Sequence, residues 1–188
     1  MYVRYGKRLL DVAVVLMAII LLSPLLAFAA IAVFAEDRRS PLFLQERVGR
    51  QGRSFRFMKF RSMPVGVANR ASADAAGLRV THVGKVLRRT NLDELPQLLN
   101  ILVGHMSVVG PRPAIPGQTE LLTLRRKNGS DQCKPGLTGL AQVSAYDGMP
   151  VSVKAELDGR YASSIGFLKD LAIIGQTLPY LLQRPPVY

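Results

Sequence analysis

The sequence predicts an α+β fold in two parts, a membrane helix over residues 1–37 and a small, mostly helical domain over residues 38–188. Three observations predict it. A long apolar run lies near the N-terminus, two short alternating segments follow it, and later apolar residues recur at helical spacing. The length of 188 residues suits one domain plus a membrane element.

The apolar run extends from Val12 to Ala35 without a charged side chain. As a helix rising about 1.5 Å per residue it would be roughly 36 Å long, enough for a hydrocarbon core of about 30 Å. A cleaved signal peptide is the alternative, because basic residues precede the run and Ala27-Phe28-Ala29 resembles a cleavage site. The run continues past Ala29 without a polar residue, which favours a retained anchor.

The orientation of this helix is open on these residues alone. Ser23-Pro24 lies at the middle of the run, where proline removes a backbone hydrogen bond and bends the helix. Basic residues flank both ends, Arg8 before the run and Arg38 after it, so the positive-inside rule favours neither direction. Two geometries fit: a bent helix that enters and leaves one leaflet, and a proline-kinked span.

A short β-hairpin is predicted next, with strands at Pro41–Gln45 and Ser54–Phe60 and a turn at Gly49–Gly52. This hairpin lies in the segment that makes the chain basic, because residues 38–89 hold thirteen Lys and Arg but only two acidic residues. Such a segment suits anionic lipid, nucleic acid or a phosphorylated substrate, and equally a solvated basic face beside a membrane. The single cysteine, Cys133, excludes an intramolecular disulfide.

The polar stretch Thr90–Asp93 supplies capping residues before a predicted helix over Glu94–Leu102, with Pro96 in its first turns. Asp93 and Glu94 thus fall at a predicted helix N-terminus. Taken on composition alone, an acidic pair at this position is best explained by complementing the helix dipole, worth about 0.3–1 kcal/mol.

Two turn-rich stretches and one apolar stretch follow. Gly110-Pro111-Arg112-Pro113 is a rigid turn that fixes Arg112, and a guanidinium held this way suits a bidentate phosphate contact. Pro135–Gln142 is a second turn-rich segment. Phe167–Arg184 has apolar residues at helical spacing and a predicted break at Pro179, which is typical of an amphipathic helix lying on a membrane face.

Taken in order, KR…D…SP…FxQxRxG…KFRSM…LDELPQLLN…GxMSxVGPRP…PGxTGLAQV resembles the bacterial sugar transferase family, the monotopic phosphoglycosyl transferases. The resemblance runs from about Lys7 to Leu178 and is closest to the family's minimal form, which has one membrane helix. It implies transfer of a sugar 1-phosphate from a UDP-sugar to undecaprenyl phosphate, with release of UMP and a requirement for Mg²⁺. The first membrane step of bacterial glycoconjugate assembly is the implied role.

The resemblance also implies residue roles, and it reverses the preference for a purely structural acidic pair. Asp93 matches the family's nucleophile, which forms an acyl-phosphate with the sugar phosphate, and Glu94 is its partner, as a metal ligand or proton acceptor. Asp93 and Glu94 are the expected Mg²⁺ ligands, and Arg112, Arg88 and Lys59 the expected phosphate-binding cations.

In the family a Ser-Pro pair breaks the membrane helix into a re-entrant hairpin, so Ser23 and Pro24 are expected to be the structural break here. Both ends of the helix would then lie on the cytoplasmic face of the bacterial inner membrane. The expected partners are UDP-sugar, undecaprenyl phosphate and membrane lipids, without nucleic acid, and a homo-oligomer is left open.

One departure from the family pattern, the donor sugar and one alternative function stay open. Ser144-Ala145-Tyr146 stands where many members have Asn-Gly-Arg, so contacts of that loop are not carried over. The minimal form is weakly associated with N-acetylated amino-sugar donors, which makes such a donor the expectation. The alternative is a non-catalytic, basic, membrane-tethered binding or scaffold protein, in which the Asp-Glu pair and the rigid arginine turn have no task.

Overall fold

The computed structural model describes residues 1–64, 80–144 and 148–182, with side chains up to residue 179. A π-helical turn at Tyr2–Gly6 leads into helix α1, Lys7–Asp37, and the hairpin strands β1, Leu42–Val48, and β2, Ser54–Phe60, follow. The remaining elements are α2, His82–Arg89; α3, Gln97–Leu102; β3, Ser107–Val109; α4, Thr119–Asn128; β4, Gly136–Thr138; α5, Leu140–Ser144; α6, Val151–Ala162; and α7, Phe167–Leu182.

The predicted α+β class, with its N-terminal apolar helix and mostly helical domain, is confirmed. The predicted hairpin is confirmed as well, and β1 extends three residues beyond the predicted Gln45 to Val48. A second sheet was not predicted: β3 pairs with β4 in parallel, with Ser107 opposite Gly136. The expected break at Pro179 is wrong, because α7 continues through this residue to Leu182.

The second sheet brings the two turn-rich stretches together. A Cβ added to Gly110 would lie 2.3 Å from the carbonyl oxygen of Lys134, and one added to Gly136 would lie 2.1 Å from the Gly110 nitrogen. Only glycine permits such a backbone approach. The arginine turn that follows β3 is therefore packed directly against the segment that contains β4.

Helix α1 packs against the domain with both of its halves. Val15 of the first half belongs to the main core, with Ile101 of α3, Met106 and Tyr161 of α6. Residues of the second half, including Ala29 and Val33, form a separate cluster with Phe60 of β2 and Leu87 of α2. Between the two halves, Ser23, Pro24 and Leu25 are exposed.

Polar contacts hold both ends of α1 to the domain. At the first end, Arg8 donates to the carbonyl oxygens of Ile101 and Leu102 at 2.6 Å each. At the other end, Glu36 accepts from the backbone amides of His82 and Val83, at 2.7 and 3.0 Å. Helix α1 thus contacts the last turn of α3 and the first turn of α2, the two helices that flank Asp93 and Glu94.

The helix is continuous through Pro24, with no non-helical residue there, and the Ser23 hydroxyl donates to the Ile20 carbonyl oxygen at 3.0 Å. A break in the helix itself is thus not observed, whereas a bend at Ser23-Pro24 and the re-entrant orientation stay predictions. The predicted Arg184 end of the last helix and most of the Ser144-Ala145-Tyr146 departure lie outside the described residues.

Candidate active site

The local backbone around the acidic pair differs from the prediction. Asn91 adopts a left-handed conformation with φ of 55°, which asparagine tolerates better than most residues. A single 3-10 turn follows at Leu92–Glu94, and α3 begins only after Pro96. The expected continuous helix from Glu94 is therefore wrong in its first turn. Proline lacks an amide hydrogen and restricts the residue before it, so the regular helix starts behind it.

Asp93 is buried, with 9% of its surface exposed. Burial and then the charge of Glu94 raise the pKa of Asp93 to about 6, although the charges of Lys59 and Arg88 oppose the rise. Among the described residues, its carboxylate accepts a hydrogen bond only from its own backbone amide. The Asp93 carboxylate is therefore mostly ionised at neutral pH and accepts no hydrogen bond from a described side chain.

Glu94, the next residue, forms an ion pair with Arg112. Its Oε1 lies 2.7 Å from Nη2 of Arg112, and Oε2 lies 3.4 Å from Nη1. Burial raises the pKa of Glu94, but the charge and hydrogen bond of Arg112, helped by Gln97 and Lys59, outweigh it and leave the pKa below its ordinary value. Glu94 is therefore a fixed anion, in contrast to its neighbour.

The turn that carries Arg112 is held from behind. Arg125 donates from Nη1 to the Arg112 carbonyl oxygen at 3.0 Å and forms a buried ion pair with Asp158 of α6 at 2.6 Å. Arg47 of β1 donates to the next carbonyl, that of Pro113, at 3.1 Å. The rigidity expected from Gly-Pro-Arg-Pro is thus reinforced by two guanidinium groups.

The other two expected cations also lie near Asp93. Lys59 of β2 has its ammonium over the Phe43 ring, 5.6 Å from the centroid, and burial lowers its pKa against the attraction of Asp93 and Glu94. Arg88, in the last turn of α2, donates from Nε to the Ser62 hydroxyl at 2.8 Å. The predicted set of Asp93, Glu94, Arg112, Arg88 and Lys59 therefore converges on one region. Ser23 and Pro24 lie in the exposed middle of α1.

Sequence reasoning missed two residues of this region. Burial and the charge of Arg112 lower the pKa of Arg47 to about 10, although the charge of Glu94 opposes this shift. Its Nε has no hydrogen-bond partner in the described residues. Gln97, 1% exposed, points its amide at Glu94 without forming a hydrogen bond of normal geometry. Arg47 had a signal, its place in the FxQxRxG motif, whereas a glutamine in an apolar helix gives none.

A groove of about 260 Å³ lies beside the arginine turn and is lined in part by Pro111. Neither Asp93 nor Glu94 is among the described residues that line it, which include Gly49, Pro111, Arg125, Arg126 and Cys133. Cys133 is a free thiol there, as expected from a single cysteine, and burial raises its pKa. The groove is distinct from the candidate active site.

The arrangement defines a class of site. A carboxylate that is ionised but unpaired can attack an electrophile, and the surrounding cations can stabilise an electrophile that carries several negative charges. Phosphate and pyrophosphate esters are such electrophiles. Such an arrangement is typical of enzymes that act on phosphorylated substrates, and here it lies beside an apolar helix long enough to cross a membrane.

The chain belongs to the bacterial sugar transferase family, whose family model matches residues 2–184. The earlier resemblance, drawn from motifs alone, is therefore confirmed. The match covers every element of the described structure, including the anchor and all five predicted site residues.

Individual relatives agree. A UDP-glucose:undecaprenyl-phosphate glucose-1-phosphate transferase of Caulobacter vibrioides is 38% identical over 193 residues, covering 97% of this chain and 72% of the relative. The exopolysaccharide production protein ExoY of Sinorhizobium fredii is 35% identical and is covered over 84% of its length. The undecaprenyl-phosphate galactose phosphotransferase of Salmonella typhimurium is 34% identical, but this chain spans only 42% of it.

Proposed function

We propose that this chain transfers a sugar 1-phosphate from a UDP-sugar to undecaprenyl phosphate and releases UMP. The observation that carries the proposal is the contrast within the acidic pair: Glu94 is paired with Arg112, whereas Asp93 is buried, unpaired and surrounded by cations. Relatives named for glucose-1-phosphate and galactose phosphate transfer to the same lipid support it.

In the first step, a carboxylate oxygen of Asp93 attacks the phosphorus that bears the sugar. The bond from that phosphorus to the bridging oxygen breaks, and its electrons leave with UMP. The product on the protein is a mixed anhydride of Asp93 and the sugar phosphate. A carboxylate with a pKa of about 6 is largely ionised at neutral pH, so this attack needs no general base.

The cations offset the repulsion between carboxylate and pyrophosphate. Arg112 is 41% exposed while it holds Glu94, and we place the pyrophosphate beside its guanidinium. The positive charges of Lys59 in β2 and Arg88 in α2 lower the pKa of Asp93. Together with Arg112 they would stabilise the negative charge that develops in the transition state. Removing a donor of this kind typically costs about 10²–10³ in rate.

The two carboxylates also fit Mg²⁺. In the described part of the chain, no group of three or more His, Cys, Asp or Glu side chains is placed to hold a metal. Mg²⁺ does not need such a group, because it commonly binds one or two carboxylates, substrate phosphates and several waters. Glu94 and Asp93 would hold it, and when bound it would neutralise charge on the pyrophosphate.

In the second step, an oxygen of undecaprenyl phosphate attacks the same phosphorus, and the bond to Asp93 breaks. The carboxylate is regenerated and the sugar is left on a lipid pyrophosphate. The acceptor phosphate is already anionic, so no proton has to be removed. Since the acceptor is anchored in the bilayer, this step requires the Asp93 turn to lie at the membrane surface.

A re-entrant α1 would meet that requirement. The domain contacts both halves of α1 and leaves Ser23, Pro24 and Leu25 exposed, as expected for the apex of a helix that dips into one leaflet. Exposed apolar residues on α7, such as Phe167, Leu168 and Leu178, would rest on the same leaflet. We place the domain on the cytoplasmic face of the bacterial inner membrane.

Labelling tests this topology. In a Cys133→Ser background, single cysteines at positions 4 and 39 are treated with a membrane-impermeant maleimide in inverted vesicles and in intact spheroplasts. The re-entrant arrangement predicts that both positions react in inverted vesicles and neither in spheroplasts. Opposite accessibility of the two positions would establish a span instead.

An activity assay tests the function. Membranes that contain the chain are supplied with undecaprenyl phosphate, Mg²⁺ and single UDP-sugars, and released UMP is measured. An N-acetylated amino sugar is our proposed donor, and UDP-glucose and UDP-galactose are included because the relatives are named for these sugars. No release with any donor, from a chain that is folded and membrane-bound, would favour the scaffold alternative.

A further inference from the structure

A second group of cations lies at the opposite end of α3 from Asp93. The ammonium of Lys134 and Nη2 of Arg8 lie 3.6 and 3.9 Å from where a Cβ of Gly104 would be, so the two nitrogens are less than about 8 Å apart. Gly104 has φ of +88°, a conformation that glycine adopts without strain, and its bare surface admits both side chains.

Only one of these cations has a structural task. Arg8 donates to the carbonyl oxygens of Ile101 and Leu102 and so caps the carboxyl end of α3. Lys134 forms no hydrogen bond or ion pair within residues 1–64, 80–144 and 148–182, although it is partly buried. A partly buried lysine without a partner, next to an arginine, is unfavourable unless an anion joins them.

The surrounding charge is positive. Burial and the charge of Arg8 lower the pKa of Lys134, and Arg50 of the hairpin turn acts in the same direction. Asp11 is the opposing carboxylate, but it is buried and accepts from the Ser107 hydroxyl and the Val108 amide, both at 2.9 Å. Within the described residues, the one carboxylate that offsets the positive charge around Lys134 is therefore already hydrogen-bonded.

Exposed apolar side chains adjoin both Arg8 and Gly104 in the chain. Leu9, which follows Arg8, is 73% exposed, and Val103, which precedes Gly104, is 61% exposed. Cations beside exposed apolar residues at the start of a membrane helix are arranged like the head-group and acyl-chain regions of a lipid.

We propose that Arg8 and Lys134 bind the phosphate of an anionic membrane phospholipid. The site is separate from the active site, because the six residues of α3, about 9 Å of helix, lie between Gly104 and the Pro96 that follows the acidic pair. A lipid bound there would fix the first turn of α1 against α3 and so hold the Asp93 turn at a constant depth.

Native mass spectrometry of the full chain in neutral detergent micelles tests the proposal. Phosphatidylglycerol, phosphatidylcholine with the same acyl chains, and inorganic phosphate are titrated separately, and the bound fraction is measured. No UDP-sugar or undecaprenyl phosphate is present, so the result is independent of the proposed transfer reaction. We expect phosphatidylglycerol to bind at least roughly fivefold more tightly than phosphatidylcholine.

Three variants make the result specific. Lys134→Ala should bind phosphatidylglycerol roughly fivefold more weakly, whereas Lys134→Arg should retain the wild-type preference. Lys127→Ala removes an exposed cation of α4 and is the matched control, with no change expected. The proposal is overturned if Lys134→Ala binds like the wild type, if Lys127→Ala loses as much, or if inorganic phosphate binds as well as the lipid.

Discussion

Asp93 and Asp170 are both buried carboxylates, and their surroundings are opposite. Asp170 of α7 is 0% exposed and has three partners: the Tyr2 hydroxyl at 2.6 Å, the Lys7 ammonium at 2.7 Å and the Tyr161 hydroxyl at 2.8 Å. Asp93 has no side-chain donor within the described residues, and its pKa is raised to about 6.

Under the proposed function, this difference separates a structural carboxylate, Asp170, from a reactive one, Asp93. A buried charge is costly unless it is paired and hydrogen-bonded, and the Asp170 cluster meets that condition while joining α1, α6 and α7. Asp93 is buried without such partners, which costs stability but leaves an oxygen lone pair available for attack. Cations nearby lower the cost without occupying the carboxylate.

The largest effect is expected from Asp93→Asn. The amide has the same shape but cannot act as the nucleophile, so UMP release should fall at least about 1,000-fold. The same change removes an unpaired buried charge and should raise the free energy of unfolding at pH 7 by about 2–3 kcal/mol. Urea unfolding in micelles and the UMP assay measure the two quantities.

The exposed carboxylate of Glu156 provides the control, since its ion pair is with Arg160 on the same helix. Glu156→Gln should leave the rate of UMP release unchanged and alter the free energy of unfolding by less than about 0.5 kcal/mol. If Asp93→Asn kept wild-type activity, or lost activity only by unfolding, Asp93 would belong with Asp170 as a structural residue.

Arg112→Ala should have the next largest effect on activity. It removes a cation that we propose binds the substrate phosphate, and it leaves Glu94 without its ion pair, so the rate should fall about 10²–10³-fold. Arg112→Lys keeps the charge but loses the two-point contact and should recover only part of the rate. Full recovery by lysine would show that charge alone, without the fixed geometry, is sufficient.

Asp170→Asn tests the other side of the comparison. It leaves the Lys7 ammonium, 15% exposed, without its carboxylate, and should lower the free energy of unfolding by about 3 kcal/mol. The rate per folded molecule should stay within about twofold of the wild type. A specific loss of rate at full folding would mean that this cluster also serves the reaction.

A smaller effect is expected from pH. Asp93 has a pKa of about 6 in the folded chain against 3.8 as its ordinary value. The apparent kcat/KM should therefore fall about tenfold from pH 7 to pH 5, as the carboxylate takes up a proton.

The free energy of unfolding depends on pH in the opposite direction to the activity. A raised carboxyl pKa favours the folded state most at low pH, and this contribution is lost as the pH rises from about 4 to 6. Relative to Asp93→Asn, the wild type should thus lose stability across this interval and change little above it. A stability difference that is independent of pH would contradict the assigned pKa.

Much of the fold and of the candidate active site could be predicted from the sequence. Alternation located the hairpin, a long uncharged run located the anchor, and the resemblance named five site residues that the fold brings together. The resemblance was needed for Asp93, because an acidic pair near a helix start is usually explained by the helix dipole.

The remaining features depend on contacts between distant segments. Pairing of β3 with β4 joins two three-residue strands that are too short to show a pattern. Whether Asp93 or Glu94 is the free carboxylate depends on which one Arg112 reaches, eighteen residues away in sequence. Lys134 and Arg8 come together at the bare surface of Gly104, although they lie far apart in the sequence.

The central claim is that Asp93 takes the sugar phosphate from the nucleotide before the lipid acceptor takes part. Exchange of labelled UMP into unlabelled UDP-sugar, measured without undecaprenyl phosphate, tests it most directly. We predict exchange with the wild type and with Glu156→Gln, and none with Asp93→Asn. Absence of exchange in a preparation that transfers sugar phosphate once undecaprenyl phosphate is added would contradict the covalent intermediate and require direct transfer between the two substrates.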